Sequence, residues 1–335
     1  MHQIDGSRGE GGGQVLRTSL ALSMITGTPI RIVNIRARRS KPGLMRQHLT
    51  SVQAAAAVSG ARVEGAAVGS REITFTPSSV RPGNYDFSIG TAGSTTLILQ
   101  TVLPALILAS GPSRLSLEGG THNPLAPPFE FLDRAFLPLL RRMGPAVDAQ
   151  LNRAGFYPAG GGSLSVTVDP VAKLQGLDLL ERGEILNRRA TVLLANLPGH
   201  IADREAKKLG ELTSWDESAT EIRRIESAGP GNAVLLELES ENVTEVFTAI
   251  GEVGVAAEAV AEKAVREMRD YLKAGVPVGE HLADQLLLPL ALAGSGSYRT
   301  LPLSLHARTQ VELIPEFLEV RIEVEGEEVR VGGLR

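Results

Sequence analysis

An apolar stretch of helical length, followed by a glycine and a short strand-like stretch, recurs along the chain. A glycine directly after a helix supplies the left-handed residue that ends it. The short stretches are β-branched or alternate between apolar and polar residues, as strands do. The pattern predicts five helix–strand pairs, in residues 14–26 and 30–35, 47–59 and 62–68, 95–110 and 114–117, 129–143 and 146–151, and 281–293 and 298–302.

Residues 180 to 275 follow a different pattern. They predict strand, helix, strand and helix at 190–195, 201–209, 233–238 and 255–272, with a turn at Gly229-Pro230-Gly231. We therefore expect an α/β (α+β) fold in which a large domain of repeated sheet-and-helix units, 1–179 with 277–335, holds a small α/β domain at 180–276. Strand order does not follow from the pattern.

Composition narrows the class of protein. The 335 residues are 43% hydrophobic and 21% charged, as in globular proteins, and include no cysteine, which excludes disulfides, thiolate metal sites and a cysteine nucleophile. The longest apolar run, 95–110, is shorter than the ~20 residues of a membrane span. The first six residues lack a signal-peptide pattern. We expect a cytoplasmic protein without a membrane span.

Charge is distributed unevenly along the chain. The net charge is −4, yet residues 1–50 hold eight basic side chains against two acidic ones. Residues 201–270 show the reverse, with 16 acidic and eight basic side chains. A local basic patch on an acidic protein favours a discrete anionic ligand such as a phosphate over a long nucleic acid. A solvated charged surface is the alternative interpretation.

Two segments could build a phosphate site. Residues 5–14, Asp-Gly-Ser-Arg-Gly-Glu-Gly-Gly-Gly-Gln, precede an apolar helix, where glycines and a helix N-terminus favour an anion. The segment matches neither a Walker loop nor G-x-G-x-x-G, and a plain flexible turn remains an alternative. Residues 36–48 add five basic side chains between a strand and a helix, and arginine binds phosphate bidentately. A solvated basic loop is the alternative there.

Histidine is the remaining candidate for chemistry. None of the six histidines forms H-E-x-x-H, and G-x-S-x-G does not occur. A lone histidine is more often structural than catalytic, so the residue type alone assigns no role.

Taken together, the motifs resemble those of the RNA 3'-terminal phosphate cyclases, and the resemblance covers essentially the whole chain. It rests on an ordered set of segments, namely residues 5–17, 35–48, 93–100, 119–121, 155–162 and 282–285, and His306. The resemblance implies repeated units as in the enolpyruvyl transferase superfamily, with a smaller inserted domain. It also implies conversion of an RNA 3'-phosphate into a 2',3'-cyclic phosphodiester, with ATP and a divalent metal, Mg or Mn, through a histidine–AMP intermediate.

The resemblance also implies residue roles. His306 corresponds to the adenylated histidine, which suits a neutral imidazole with a free lone pair near pH 7. Glu10 corresponds to a metal-binding carboxylate, a hard oxygen ligand. The positions that hold the RNA phosphate are Arg17, Arg36, Arg39 and Gln47. The nucleotide positions are Gln100, Pro127, His281, Asp284 and Gln285, with His281 in place of a tyrosine of some relatives.

Two other functions are alternatives to the cyclase activity. A non-catalytic cyclase-like RNA-binding factor in ribosome maturation would lack the nucleophile, whereas His306 is present. An enolpyruvyl transferase is suggested by fold kinship alone. Tyr157 and the three glycines at 160–162 are interpreted as a structural turn. The natural RNA substrate and the oligomeric state stay open.

Overall fold

The computed structural model of the protein describes residues 1–9 and 11–333. Three of its four-stranded sheets share one chain order: a strand, a helix, a parallel strand beside the first, a second helix and a hairpin. The first unit consists of β1 (His2–Asp5), α1 (Gly13–Thr26), β2 (Ile30–Val33), α2 (Arg46–Ser59), β3 (Arg62–Glu64) and β4 (Ile73–Thr76), in the strand order β1-β2-β4-β3.

The second unit repeats this arrangement. Its strand order is β5-β6-β8-β7, with β5 parallel to β6 and the hairpin strands antiparallel. The unit consists of β5 (Asn84–Ser88), α3 (Thr95–Leu106), β6 (Ser113–Gly119), α4 (Phe129–Phe131), a π-helical turn (Leu132–Phe136), α5 (Leu137–Arg142), β7 (Ala146–Arg153) and β8 (Gly162–Asp169).

The third unit is split along the chain. Its first strand, β9 (Leu177–Leu179), pairs in parallel with β14 (Ser295–Arg299), more than a hundred residues later. The rest of the unit consists of α8 (Glu280–Ala293), α9 (Leu305–Leu313), β15 (Val320–Glu325) and β16 (Glu328–Gly333). Three copies of a sheet with two helices therefore make up this part of the mixed α/β fold, as the sequence predicted.

The fourth sheet lies in the chain between β9 and α8. Its order, β11-β10-β12-β13, differs from that of the other three. It consists of β10 (Ile185–Ala195), α6 (Gly199–Thr213), β11 (Thr220–Arg224), β12 (Gly231–Ser240), β13 (Thr244–Ile250) and α7 (Ala257–Ala274). The domain boundaries at 179/180 and 276/277 stay a prediction.

Alternation along the strands explains how the sheets are covered. In β6 every second residue is buried and the intervening ones are exposed, so one face takes the helices and the other meets solvent. The helices and inner faces of the three repeated units form one continuous hydrophobic core. A second core lies between the fourth sheet and helices α6 and α7.

Glycine ends α1, α2 and α8 as predicted. Gly27, Gly60 and Gly294 each follow a helix in the left-handed conformation. The predicted helix at 95–110 is too long, because α3 ends at Leu106, shortly after Pro104, and the chain continues through tighter turns. The predicted helix at 129–143 is interrupted by the π-helical turn, which the apolar pattern does not reveal.

In the part of the chain that the structure describes, no helix combines the length and apolar character needed to cross a bilayer.

Candidate functional site

The glycine segment lies against the start of α9. Gly9 has a φ of 54°, and a Cβ atom on it would stand 1.8 Å from Oγ1 of Thr309. Thr309 follows the half-buried His306 by three residues, so both face the same side of α9. The structure thus places the predicted nucleophile one helical turn from the glycine segment.

The start of α1 lies against the start of α2. A Cβ atom on Gly13 would stand 2.6 Å from Nε2 of His48 and 2.7 Å from Nη1 of Arg17. Gly12 caps α1 without a side-chain hydrogen bond to the helix N-terminus. Backbone amides at such an end attract an anion, and the positive charge of Arg17 adds to that attraction.

Gln47 and Pro127 both lie at the start of α3. The backbone N–H of Ser94, the N-cap of α3, donates to Oε1 of Gln47 at 2.7 Å. Within the first turn, Oγ1 of Thr96 donates to the carbonyl of Pro127 at 2.7 Å. One predicted RNA-phosphate residue and one predicted nucleotide residue are therefore both held at the N-terminal end of α3.

A chain of hydrogen bonds joins the predicted phosphate and nucleotide residues. Arg17 Nε donates to Gln100 Oε1 at 2.9 Å, and Gln100 Nε2 donates to Gln285 Oε1 at 3.0 Å. Gln285 Nε2 then donates to Asp284 Oδ2 at 3.2 Å, and Gln310 Nε2 donates to the Asp284 carbonyl at 2.8 Å. The chain connects α1, α3, α8 and α9, and so spans all three repeated units.

These polar side chains line a pocket with a cavity of about 40 Å³. The apolar part of its lining consists of Leu99, Leu103, Pro104, Leu132, Phe136, Leu288 and Pro289. The π-helical turn supplies two of these side chains. A pocket with an apolar wall and a few convergent polar groups is typical of a small-molecule site. Gln100, Asp284 and Gln285 line it, whereas Pro127 and His281 do not.

The carboxyl group of Asp284 is the electrostatic centre of the pocket. Burial raises its pKa, whereas His306, a hydrogen bond from Gln310 and the charge of Arg17 act in the opposite direction. Two residues with separately predicted roles, His306 and Arg17, are thus close enough to influence one carboxyl group.

The basic segment at 36–41 is tied to its surroundings. Arg36 has a φ of 54°, and its Nη1 donates to the carbonyls of Lys41 at 2.7 Å and Gly43 at 2.9 Å. Arg38 Nη1 donates to the Gly9 carbonyl at 3.0 Å and so fixes the basic loop against the glycine segment. Arg39 is exposed.

His281 is exposed in the first turn of α8. It lies near Glu267 of α7. Burial raises the pKa of Glu267, and the charge of His281 is the strongest influence that lowers it. It also lowers the pKa of Asp284, although less than His306 does. The structure therefore places His281 at the rim of the site, within electrostatic reach of Asp284.

Glu10, the predicted metal ligand, lies outside the described residues. Across 1–9 and 11–333, no group of three or more acidic or histidine side chains is arranged to hold a metal ion. Magnesium at a nucleotide usually takes one or two carboxylates and completes its shell with phosphate oxygens and water.

Sequence analysis missed Gln310, which holds Asp284, and Ser94, which holds Gln47. Gln310 follows His306 by four residues and therefore shares its helix face, a spacing readable from the sequence once the helix is assigned. Ser94 could have been recognised as an N-cap, because serine directly before an apolar helix is a typical cap.

Comparisons with known proteins all point to one family. The sequence model of a family described as RNA 3'-terminal phosphate cyclase matches residues 8–324. The chain is 54% identical to an RNA 3'-terminal phosphate cyclase of Koribacter versatilis over 97% of this chain and 92% of the relative. It is 53% identical to relatives of the same name from Ectopseudomonas mendocina and Pseudomonas fluorescens, over 96% of this chain and 93% of each relative.

Proposed function

Because the chain belongs to the RNA 3'-terminal phosphate cyclase family, we propose that it uses ATP to convert an RNA 3'-phosphate into a 2',3'-cyclic phosphodiester. The observation that supports this most directly is the hydrogen-bond chain from Arg17 to Asp284. It links a guanidinium suited to a phosphate with a pocket suited to a nucleotide, beside a histidine.

His306 is the proposed nucleophile. Its imidazole nitrogen attacks the α-phosphorus of ATP, a nitrogen–phosphorus bond forms and pyrophosphate leaves. An oxygen of the RNA 3'-phosphate then attacks the phosphorus of the bound AMP, the nitrogen–phosphorus bond breaks, and the RNA 3'-phosphate carries the AMP. Finally the adjacent 2'-hydroxyl attacks the 3'-phosphorus, its proton is lost, and AMP leaves as the ring closes.

The surroundings of His306 support this role. The residue lies in the first turn of α9, whose N-terminus favours phosphate oxygens. Gly9, against Thr309 of the same helix, lets the backbone of the glycine segment approach closely. Asp284 lies within electrostatic reach of the imidazole.

The adenosine would enter the pocket between α3, α8 and the π-helical turn. Gln100 and Gln285 present amide groups suited to hydrogen bonds with a base or ribose, and the leucines give an apolar wall. Pro127 and His281 would border the nucleotide from the rim. The lining side chains must move apart to admit the nucleotide, because the cavity seen here is only about 40 Å³.

The RNA end would lie between the starts of α1, α2 and α3. Arg17, Arg36, Arg39 and Gln47 are the proposed ligands of its 3'-phosphate. Two or three cationic groups would offset the charge of a phosphate that must approach a second phosphate, that of AMP. A divalent metal, held by Glu10 and by the ATP phosphates, would supply further charge neutralisation. We also propose that 180–276 forms the inserted domain.

The test is incubation of the purified chain with ATP labelled at the α-phosphate. We expect an acid-labile protein–AMP adduct that disappears in His306→Ala and persists in His200→Ala, a matched change at an exposed histidine on α6. Addition of RNA with a 3'-phosphate should discharge the adduct and give a phosphatase-resistant end. No adduct on the wild-type protein, or an adduct that survives in His306→Ala, contradicts the proposal.

A further inference from the structure

Several large apolar side chains are exposed, and three of them lie within two positions of a predicted site residue in the sequence. Met45 is exposed two positions before Gln47, and Leu305 one position before His306. Leu125 is 92% exposed in the loop that contains Pro127, and Tyr157 is 72% exposed. Exposed apolar side chains that form a patch mark binding surfaces, so the surroundings of Tyr157 decide whether it has such a role.

Tyr157 is held on a well-anchored loop. The preceding residue, Phe156, is buried and stacks on His122 with ring centroids 5.0 Å apart. The N–H of Gly160 donates to the Phe156 carbonyl at 2.7 Å, and Arg153 Nε donates to the Gly161 carbonyl at 2.5 Å. The loop is fixed on both sides of Tyr157, while the tyrosine ring itself meets solvent.

The loop lies beside the residues that position Gln47. A Cβ atom on Gly160 would stand 2.8 Å from Cα of Ala92, so the two backbones touch. The carbonyl of Ala92 accepts a hydrogen bond from Nδ2 of Asn123 at 2.6 Å, and Ser94, two residues on, binds Gln47. The Tyr157 loop, the Leu125 loop and the start of α3 therefore meet at the proposed RNA end.

We propose that Tyr157 is a stacking platform for a nucleobase near the 3' end of the RNA, a role that rests on the proposed function. A tyrosine ring fixed at its backbone but exposed at its face loses little freedom on stacking. The exposed Arg153, the last residue of β7 before this loop, suits a neighbouring backbone phosphate. Because every base has a π face, the platform accepts any base.

The test measures binding of a short 3'-phosphorylated RNA by fluorescence anisotropy. Tyr157→Ala should weaken binding about 5- to 100-fold, the range expected for one stacked base, while Tyr157→Phe should stay within about twofold of wild type. Val253→Ala, at a fully exposed apolar residue before α7, is the matched control and should bind like wild type.

A series of RNAs with one abasic position identifies the stacked base. At one of the last three positions, the abasic RNA should bind the wild-type protein as weakly as the intact RNA binds Tyr157→Ala. It should bind Tyr157→Ala with no further loss. An abasic penalty of equal size in both proteins, or unchanged binding by Tyr157→Ala, overturns the inference.

Adduct formation with ATP alone separates this inference from the proposed function. Tyr157→Ala should form the protein–AMP adduct at the wild-type rate, because the tyrosine contacts only RNA. If wild type forms the adduct and cyclises RNA while Tyr157→Ala binds RNA normally, the platform is refuted and the cyclase function stands. If wild type forms no adduct, the proposed function itself has failed.

Discussion

Among single residues, Gln310 supports Asp284 through two hydrogen bonds that its Nε2 donates, one to the backbone carbonyl and one to the carboxylate of Asp284. Gln310→Leu removes this donor and leaves the half-buried carboxyl group without either hydrogen bond. We expect the KM for ATP in adduct formation to rise about tenfold, the effect of losing one hydrogen bond to a charged group.

The pH profile gives a sharper readout of the same variant. Without the donor the pKa of Asp284 rises further, so the acid limb of adduct formation should move to higher pH. Glu312→Gln, an exposed change on the same helix, is the matched control. A profile that does not move in Gln310→Leu would show that Asp284 need not be ionised.

At the scale of elements, the contact between the glycine segment and α9 can be tested by a clash and its relief. Gly9→Ala introduces a Cβ atom 1.8 Å from Oγ1 of Thr309 and places alanine at positive φ. We expect adduct formation to fall at least tenfold, because the segment must move away from His306.

The double variant Gly9→Ala/Thr309→Ala removes the clashing hydroxyl and leaves a tight approach of 3.0 Å to Cβ of residue 309 together with the backbone strain. It should regain part of the lost rate, and Thr309→Ala alone should stay near wild type. Failure of the double variant to improve on Gly9→Ala would mean that strain, not contact with α9, causes the loss.

The N-terminus of α8 depends on a carboxyl group from another sheet. Glu245 of β13 is buried and accepts a hydrogen bond from the N–H of Gly279, the N-cap of α8, at 2.5 Å. Glu245→Ala should lower the free energy of unfolding by about 1–3 kcal/mol, because a buried N–H loses its acceptor.

Glu245→Gln keeps an acceptor oxygen and should lose much less. Burial raises the pKa of Glu245 to about 8, so the neutral amide resembles the form present at pH 7. Denaturant unfolding compares the two variants. Equal losses in both would show that the hydrogen bond to Gly279 contributes nothing.

The sequence predicted elements whose ends depend on local chemistry and missed those that depend on packing. The left-handed glycines fix the ends of α1, α2 and α8, whatever surrounds them. The end of α3 and the π-helical turn depend on bonds that the apolar pattern does not encode. The strand predicted at 298–302 is displaced to Ser295–Arg299, where it pairs with β9 and β16.

The sequence points to individual residues of the candidate site but not to the contacts between them. The motifs point to Arg17, Gln100, Asp284 and His306 individually. That Arg17 and Gln100 share a hydrogen bond follows only from the packing of α1 on α3, between residues 83 positions apart. Spacing within a helix carries such information, whereas spacing between helices of different units does not.

At the scale of the whole molecule, the fourth sheet is joined to the elements that build the site. Phe156 packs against Leu193 and Leu235 of that sheet. Arg134 of the π-helical turn forms an ion pair with Glu237 at 2.5 Å, both largely buried. The fourth sheet is therefore joined to the elements of the pocket wall by packed contacts as well as by the chain.

Global stability should depend on pH through Glu205, a fully buried carboxyl group in the second core. Burial raises its pKa to about 7 from an ordinary value of 4.5. Between these values the folded protein keeps a proton that the unfolded chain has lost, so this group's contribution to stability falls as pH rises and is lost above about pH 7. The slope is at most about 1.4 kcal/mol per pH unit.

Glu205→Gln cannot ionise and should gain stability relative to wild type as pH rises from 4.5 to 7, measured by denaturant unfolding at each pH. Glu211→Gln, an exposed change on the same helix, should leave the slope unchanged. A stability difference between Glu205→Gln and wild type that does not vary with pH would contradict the expected titration.

The split of the third unit has a consequence for synthesis. A growing chain can complete the first two units early, but β9 waits for β14 until the ribosome has added the whole fourth sheet, α7 and α8. The helix that bears His306 emerges later still. A prematurely terminated product would thus possess the N-terminus of α1 and most of the pocket lining, yet lack His306, the proposed adenylate acceptor.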